Sequence, residues 1–175
     1  MVGCAKCGNK VSDLNTALLQ DFIRSLRDQK LTVSFAESCT GGRLSSFLTE
    51  QAGISDIFLG SVVSYSNEAK IDLLGIRRDT LMQEGAVSEA IAQQMAHGVR
   101  KQLKSDWSVA ITGVAGPTGG TPAKPVGTVC FAVAGPGFES SCLKQFRGER
   151  NQIQNQSVNF ALEFLMGSLA KGNKP

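Results

Sequence analysis

The eight residues Ala36-Glu37-Ser38-Cys39-Thr40-Gly41-Gly42-Arg43 constrain the fold more than any other part of the chain. A β-branched run, Leu31-Thr32-Val33-Ser34-Phe35, precedes them, and Leu44, Phe47 and Leu48 follow at helical spacing in a segment ending at Glu50. The pattern predicts a strand, a tight turn and a helix. Such a turn aims free backbone N–H groups at the positive end of the new helix, and paired glycines let a ligand come close to the main chain. Ser38, Cys39 and Thr40 place two hydroxyls and a thiol there, so a nucleophile could stand beside donors for the oxyanion it creates. The plainer alternative is an ordinary connection capped by Thr40, with Gly41 and Gly42 serving close packing. The stretch is neither a GxxxxGK[ST] phosphate loop nor a GxSxG elbow.

Alternation and helical spacing order the rest of the chain. Leu18, Phe22 and Leu26, with Leu19 and Ile23, form one face of a helix ending near Asp28 to Lys30. Residues 57–65 read as a largely buried strand. Ser66 or Asn67 then caps a helix with Glu68 in its first turn, reaching Gly75-Ile76. A short helix over Asp79 to Glu84 precedes a longer one capped by Ser88, with Ile91, Met95, Val99 and Leu103 on one side. Trp107 to Thr112 and Val126 to Val133 read as strands, Gly135-Pro136-Gly137 as a hairpin turn, Ser140 to Phe146 as its return, and Arg150 to Ala170 as a final helix. Between the first two of these strands, residues 113–125 form a long Gly- and Pro-rich connection of the kind that carries function. This order predicts a single α/β domain, a three-layer α/β/α sandwich with a mixed sheet, over residues 13–171. Residues 1–12 and 172–175 read as tails.

Length and composition narrow the function. A chain of 175 residues supports one well-buried core and is short for two. A net charge of +3 without long Lys or Arg runs does not advertise a dedicated nucleic-acid surface. No apolar run approaches the roughly 20 residues that span a bilayer, and no signal-peptide core is visible, so a cytoplasmic protein without membrane attachment is expected. Five cysteines without framework spacing point to reduced thiols. The Cys4-x-x-Cys7 pair lacks further ligands at zinc spacing, with Cys39, Cys130, Cys142 and His97 scattered, so no metal is expected and residues 1–12 read as a flexible leader or cloning remnant. Broadly apolar helices in so small a domain make a homo-oligomer the expectation.

The lone histidine, His97, lies in a helix body far from every glycine-rich turn, which argues against a Ser-His-Asp triad. If Ser38 is a nucleophile its proton must go elsewhere. Lys70, near the start of a helix, sits where the dipole and any burial lower an amine's pKa, and it is a suitable base. The alternative makes Ser38 a cap and Lys70 a solvated lysine. Cys39 is the rival nucleophile, though of the two neighbours a cysteine is usually the buried one. Arg150, at a helix start, could clamp a phosphate or carboxylate or be a plain surface charge.

The segments AESCTGG (36–42), YSNEAK (65–70), LGI (74–76), GAVSE (85–89), ITGVAGPTGG (111–120), KPVGTV (124–129) and FRGER (146–150) together resemble the C-terminal domain family of the competence-damage-inducible protein CinA, across about residues 14–170. That family includes stand-alone nicotinamide-nucleotide amidohydrolases, which convert nicotinamide mononucleotide to nicotinic acid mononucleotide and ammonia in pyridine nucleotide recycling. The resemblance implies a cofactor-free amide hydrolase with Ser38 as nucleophile, Lys70 as base and Tyr65 as a supporting hydroxyl. Thr112 and Arg150 would help bind the substrate. The amides of Cys39, Thr40, Gly41 and Gly42 would hold the oxyanion, and the loop containing Gly113 and Gly116 is a candidate phosphate holder. Some homologues in the family have lost activity, and the non-catalytic alternative is a nucleotide- or partner-binding module. Both members of the dyad are present here.

Overall fold

The computed structural model describes residues 13–172. In chain order it contains α1 (Thr16–Gln29), β1 (Val33–Glu37), α2 (Arg43–Thr49), β2 (Phe58–Val63), α3 (Asn67–Leu74), α4 (Arg78–Glu84), α5 (Glu89–Leu103), β3 (Trp107–Gly113), β4 (Thr128–Gly135), β5 (Phe138–Gln145) and α6 (Arg150–Gly172). The strands form one sheet in the order β2-β1-β3-β4-β5. β1 runs parallel to β2 and β3, whereas β4 runs antiparallel to both of its neighbours, β3 and β5. The α/β architecture and the mixed sheet agree with the reading from the sequence.

Local chemistry sets the element ends. Asn15 and Ser66 cap α1 and α3, accepting from Leu18 N at 3.0 Å and Ala69 N at 3.1 Å, and Ser88 caps α5, accepting from Ile91 N at 3.3 Å. Lys30 and Gly75 end α1 and α3 in the left-handed conformation. The β4–β5 hairpin turns at Pro136-Gly137, with Gly137 at φ 65°. α6 runs through Gly172, slightly past the expected end. No helix among the described residues is long and apolar enough to cross a membrane.

The sheet sorts its side chains by size. Val33, Phe35, Val109, Ile111, Val129, Phe131 and Val133 point to one side, where they pack with α1, α2 and α6 in a core of bulky residues. The intervening Ala36, Ala110, Cys130, Ala132 and Ala134 point to the other side, against Ile91, Met95 and Val99 of α5. β2 departs from expectation. It is an edge strand with only β1 as neighbour, so most of its residues are partly exposed and Leu59 and Val63 stand in solvent, 41% and 45% exposed. An apolar run reads alike in a central or an edge strand, because alternation reports faces and not neighbours.

The topology makes a crevice. From β1 the chain passes through α2 to β2 on one side, and from β2 through α3, α4 and α5 to β3 on the other. The carboxyl ends of three parallel strands therefore diverge around β1, the switch point at which open α/β sheets hold ligands.

Candidate active site

A cleft of about 300 Å³ lies at that switch point, lined by Ser38 beyond β1, Tyr65 beyond β2, Lys70 of α3, Thr112 and Gly113 of β3, and Arg150 of α6. Larger depressions exist elsewhere: about 470 Å³ beside α2, and about 740 Å³ between the C-terminal part of α3 and α5. Of the three, only the first holds a hydroxyl in contact with a buried lysine, so chemistry and not volume selects it.

Lys70 is 1% exposed, and its Nζ lies 3.0 Å from Ser38 Oγ. The same nitrogen donates to the carbonyls of Ser64 at 2.8 Å and Tyr65 at 3.5 Å. Both carbonyls lie on the chain leading into α3, so the lysine folds back over the start of its own helix. No carboxylate pairs with it among the described residues. Burial without a counter-charge pushes its pKa below that of an ordinary lysine, and the Cys39 thiol opposes this more weakly. A neutral amine has two N–H donors and one lone pair. With the donors directed at the two carbonyls, the lone pair is left for Ser38 Oγ–H.

The turn after β1 is held differently from the sequence expectation. Glu37, fully buried at the end of β1, accepts at Oε2 from Thr40 Oγ1 (2.7 Å), Gly42 N (3.0 Å) and Leu44 N (3.1 Å). At Oε1 it accepts from the backbone N of Ser45 at 2.9 Å and from the Ser45 hydroxyl. The amides of Gly41 and Arg43 donate to the carbonyls of Ser38 and Thr40. Gly41 and Gly42 adopt φ of 61° and 92°, the left-handed values that let the chain turn so sharply.

Three readings of the turn are corrected by this arrangement. The start of α2 is occupied by the protein's own carboxylate. Thr40 does not cap that helix; Gly42 is its N-cap residue, without a side-chain cap. The amides of Gly41 and Gly42 are taken, and Thr40, Gly41 and Gly42 line the depression beside α2 instead of the Ser38 cleft. Within the turn, among the described residues, only the amides of Cys39 and Thr40 have neither a main-chain acceptor nor the Glu37 carboxylate, and of these two residues Cys39 lines the cleft. Buried Gln154 of α6 also donates from Nε2 to the Cys39 carbonyl at 2.7 Å.

Cys39 itself is 5% exposed, and burial pushes its thiol up to about 12, which disfavours the thiolate near neutral pH. Arg150 reaches over the cleft, donating from Nη1 to the Gly116 carbonyl at 2.7 Å and from Nη2 to the Tyr65 hydroxyl at 3.0 Å. Tyr65 is 61% exposed and lies at the rim. Thr112 is buried, and its hydroxyl donates to the Ala86 carbonyl at 2.8 Å, tying β3 to the segment before α5. Gly113 lies so close to β4 that a Cβ would meet the Thr128 carbonyl oxygen at 2.7 Å.

His97 contacts Glu139 of β5 at 2.8 Å and does not line the cleft. Among the described residues no three His, Cys, Asp or Glu side chains cluster where a metal ion could sit, and Cys4 and Cys7 lie outside those residues. Sequence reasoning missed the supports: Glu37, Gln154 and the Ser64 carbonyl. Only Glu37 left a signal, an acidic residue just ahead of a helix start.

The chain and its fold have counterparts among known proteins. The model of the CinA C-terminal domain matches residues 15–169, and the chain belongs to that family. A CinA-like protein of Fervidobacterium nodosum is 44% identical over 167 residues, covering 95% of this chain and 41% of the relative. One from a Synechococcus strain is 50% identical over 145 residues, covering 82% of this chain and 35% of the relative. The chain thus spans about two fifths of the length of these curated relatives. Among solved structures, the competence damage-inducible protein A of Klebsiella pneumoniae aligns with a TM-score of 0.86 at 35% identity, over 90% of this chain and 98% of that one. The competence/damage inducible protein of Agrobacterium tumefaciens gives 0.84 at 39% identity, over 87% and 94%.

Proposed function

We propose that this domain is an amide hydrolase that converts nicotinamide mononucleotide to nicotinic acid mononucleotide and ammonia, using Ser38 and Lys70 as nucleophile and base. The observation that carries the reading is the 3.0 Å contact between Lys70 Nζ and Ser38 Oγ, made by an amine whose burial lowers its pKa. Membership of a family that includes amidohydrolases supports the choice of reaction.

Neutral Lys70 takes the Ser38 proton as Oγ attacks the carboxamide carbon, and the oxyanion that forms is held by the amide of Cys39, which lines the cleft. The C–N bond then breaks, and the nitrogen leaves as ammonia with the proton returned by Lys70. Water attacks the resulting ester, giving its proton to Lys70, and the second collapse frees the carboxylate and restores Ser38. Arg150, whose forked guanidinium reaches the cleft and has no carboxylate partner among the described residues, supplies the cation for the substrate's phosphate. Tyr65 carries the rim hydroxyl that orients it.

The test is ammonia release from nicotinamide mononucleotide by the pure protein, with Ser38→Ala alongside. Release by the parent, and its loss in a variant that still folds, is the expected result. Binding of the mononucleotide without turnover would overturn the proposal in favour of a nucleotide-binding module.

A further inference from the structure

Among the described residues Glu37 is the one buried carboxylate, and the proposed mechanism leaves it without a task. A carboxyl group fully removed from water is retained only when donors replace its hydration. Here five do so: two hydroxyls and three backbone amides. All belong to residues 40–45. Glu37 is joined directly to Ser38, whose own amide donates to the Ile111 carbonyl of β3 at 3.0 Å. The strand end, the nucleophile, the residues supplying the open amides and the first turn of α2 are therefore pinned to one side chain.

We propose that Glu37 is a positioning residue. By binding the Thr40 hydroxyl and the amides that open α2, it fixes the peptide planes from Ser38 to Gly42, and so sets the Ser38 hydroxyl and the Cys39 amide in one reactive arrangement. Gln154, holding the Cys39 carbonyl from α6, completes the clamp from the opposite direction. Unlike the catalytic pair, neither side chain lines the Ser38 cleft. The inference rests on the amidase reading for its substrate, and on geometry alone for the nucleophile.

Glutamine is the informative replacement because it keeps size and removes one acceptor. Its NH₂ must face the amide of Ser45 in one orientation, or those of Gly42 and Leu44 in the other, and a backbone N–H cannot turn round to accept. A displacement of about 1 Å at a reacting group lowers a rate by about 10²-fold. Glu37→Gln should therefore reduce kcat for ammonia release by about that factor with KM within threefold, and slow the labelling of Ser38 by a fluorophosphonate in parallel. Ser45→Ala, which removes one hydroxyl donor, should reduce both about fivefold without loss of cooperative melting.

Folded variants that keep the parent's kcat and labelling rate overturn the proposal, since a merely structural role lowers the melting temperature and leaves the rate per folded molecule intact. Should Glu37→Gln fail to fold, Ser45→Ala decides alone. A parent that is labelled at Ser38 but releases no ammonia refutes the amidase reading only, and the labelling rates then decide. A parent that does neither overturns both.

Discussion

On one side of the sheet, Phe35, Ile111, Phe131 and Val133 present bulky side chains to α1, α2 and α6; on the other, Ala36, Ala110, Cys130, Ala132 and Ala134 face α5. Large residues fill the space to several helices at once. Phe131, for example, meets Phe160 and Phe146 edge-on, with ring centroids at 4.8 and 6.1 Å. Small residues instead let α5 lie close, and the Ser108 hydroxyl donates to the Ala96 carbonyl at 2.7 Å. α5 in turn holds α3: a Cβ on Gly98 would come within 2.1 Å of the Leu74 carbonyl oxygen. The proposed dyad draws on both layers, with Ser38 on the turn into α2 and Lys70 on α3. The bulky side secures the fold, and the small side sets how near the base comes to its nucleophile.

That division is open to attack from either side. The largest effect is expected at the small side's contribution: Lys70→Met should lower kcat for ammonia release by about 10²–10⁴-fold, the usual reach of a general base. Retention of most of the parent rate would refute the dyad. On the bulky side, Phe131→Ala should destabilise by about 3–5 kcal/mol in denaturant titration. The rate per folded molecule should stay near that of the parent, and a loss of rate exceeding the loss of folded protein would blur the two roles.

Gly98→Ala should sharpen the contrast. Forcing α3 from α5 is expected to lower stability by about 1–3 kcal/mol and, unlike Phe131→Ala, also to reduce kcat through the displaced lysine. The smallest effect is a slope. The folded pKa of Lys70 is depressed, so below the ordinary lysine value the unfolded chain binds a proton that the native one refuses. Stability should therefore rise with pH between the depressed pKa and the ordinary one, and be free of this term above both. Urea midpoints across alkaline pH should show the rise in the parent and lose this part of it in Lys70→Met.

Much of this fold was legible from the chain alone. A β-branched run revealed β1 and alternation β3, and Ser66, Ser88 and Gly75 marked helix ends because capping is local chemistry. Lys70 stood out for the same reason, as a cation placed where a helix start disfavours one. What stayed hidden was set by neighbours distant in sequence. β2 could not be recognised as an edge, and Gln154 gives no hint that it supports Cys39, 115 residues away. Glu37 was visible as a letter of the turn, but its side chain points into the helix start, so Gly41 and Gly42 were credited with a ligand that the protein supplies itself.

The amine of Lys70 rests on two peptide carbonyls, those of Ser64 and Tyr65. Side-chain replacement does not remove a peptide oxygen, so the cradle survives exchange of either residue that leaves the main-chain path unchanged. On the proposed reading, the rim can drift toward other substrates while the proton transfer stays intact. An insertion between residues 65 and 70, which would replace neither Ser38 nor Lys70, is the kind of change that would abolish the proposed activity.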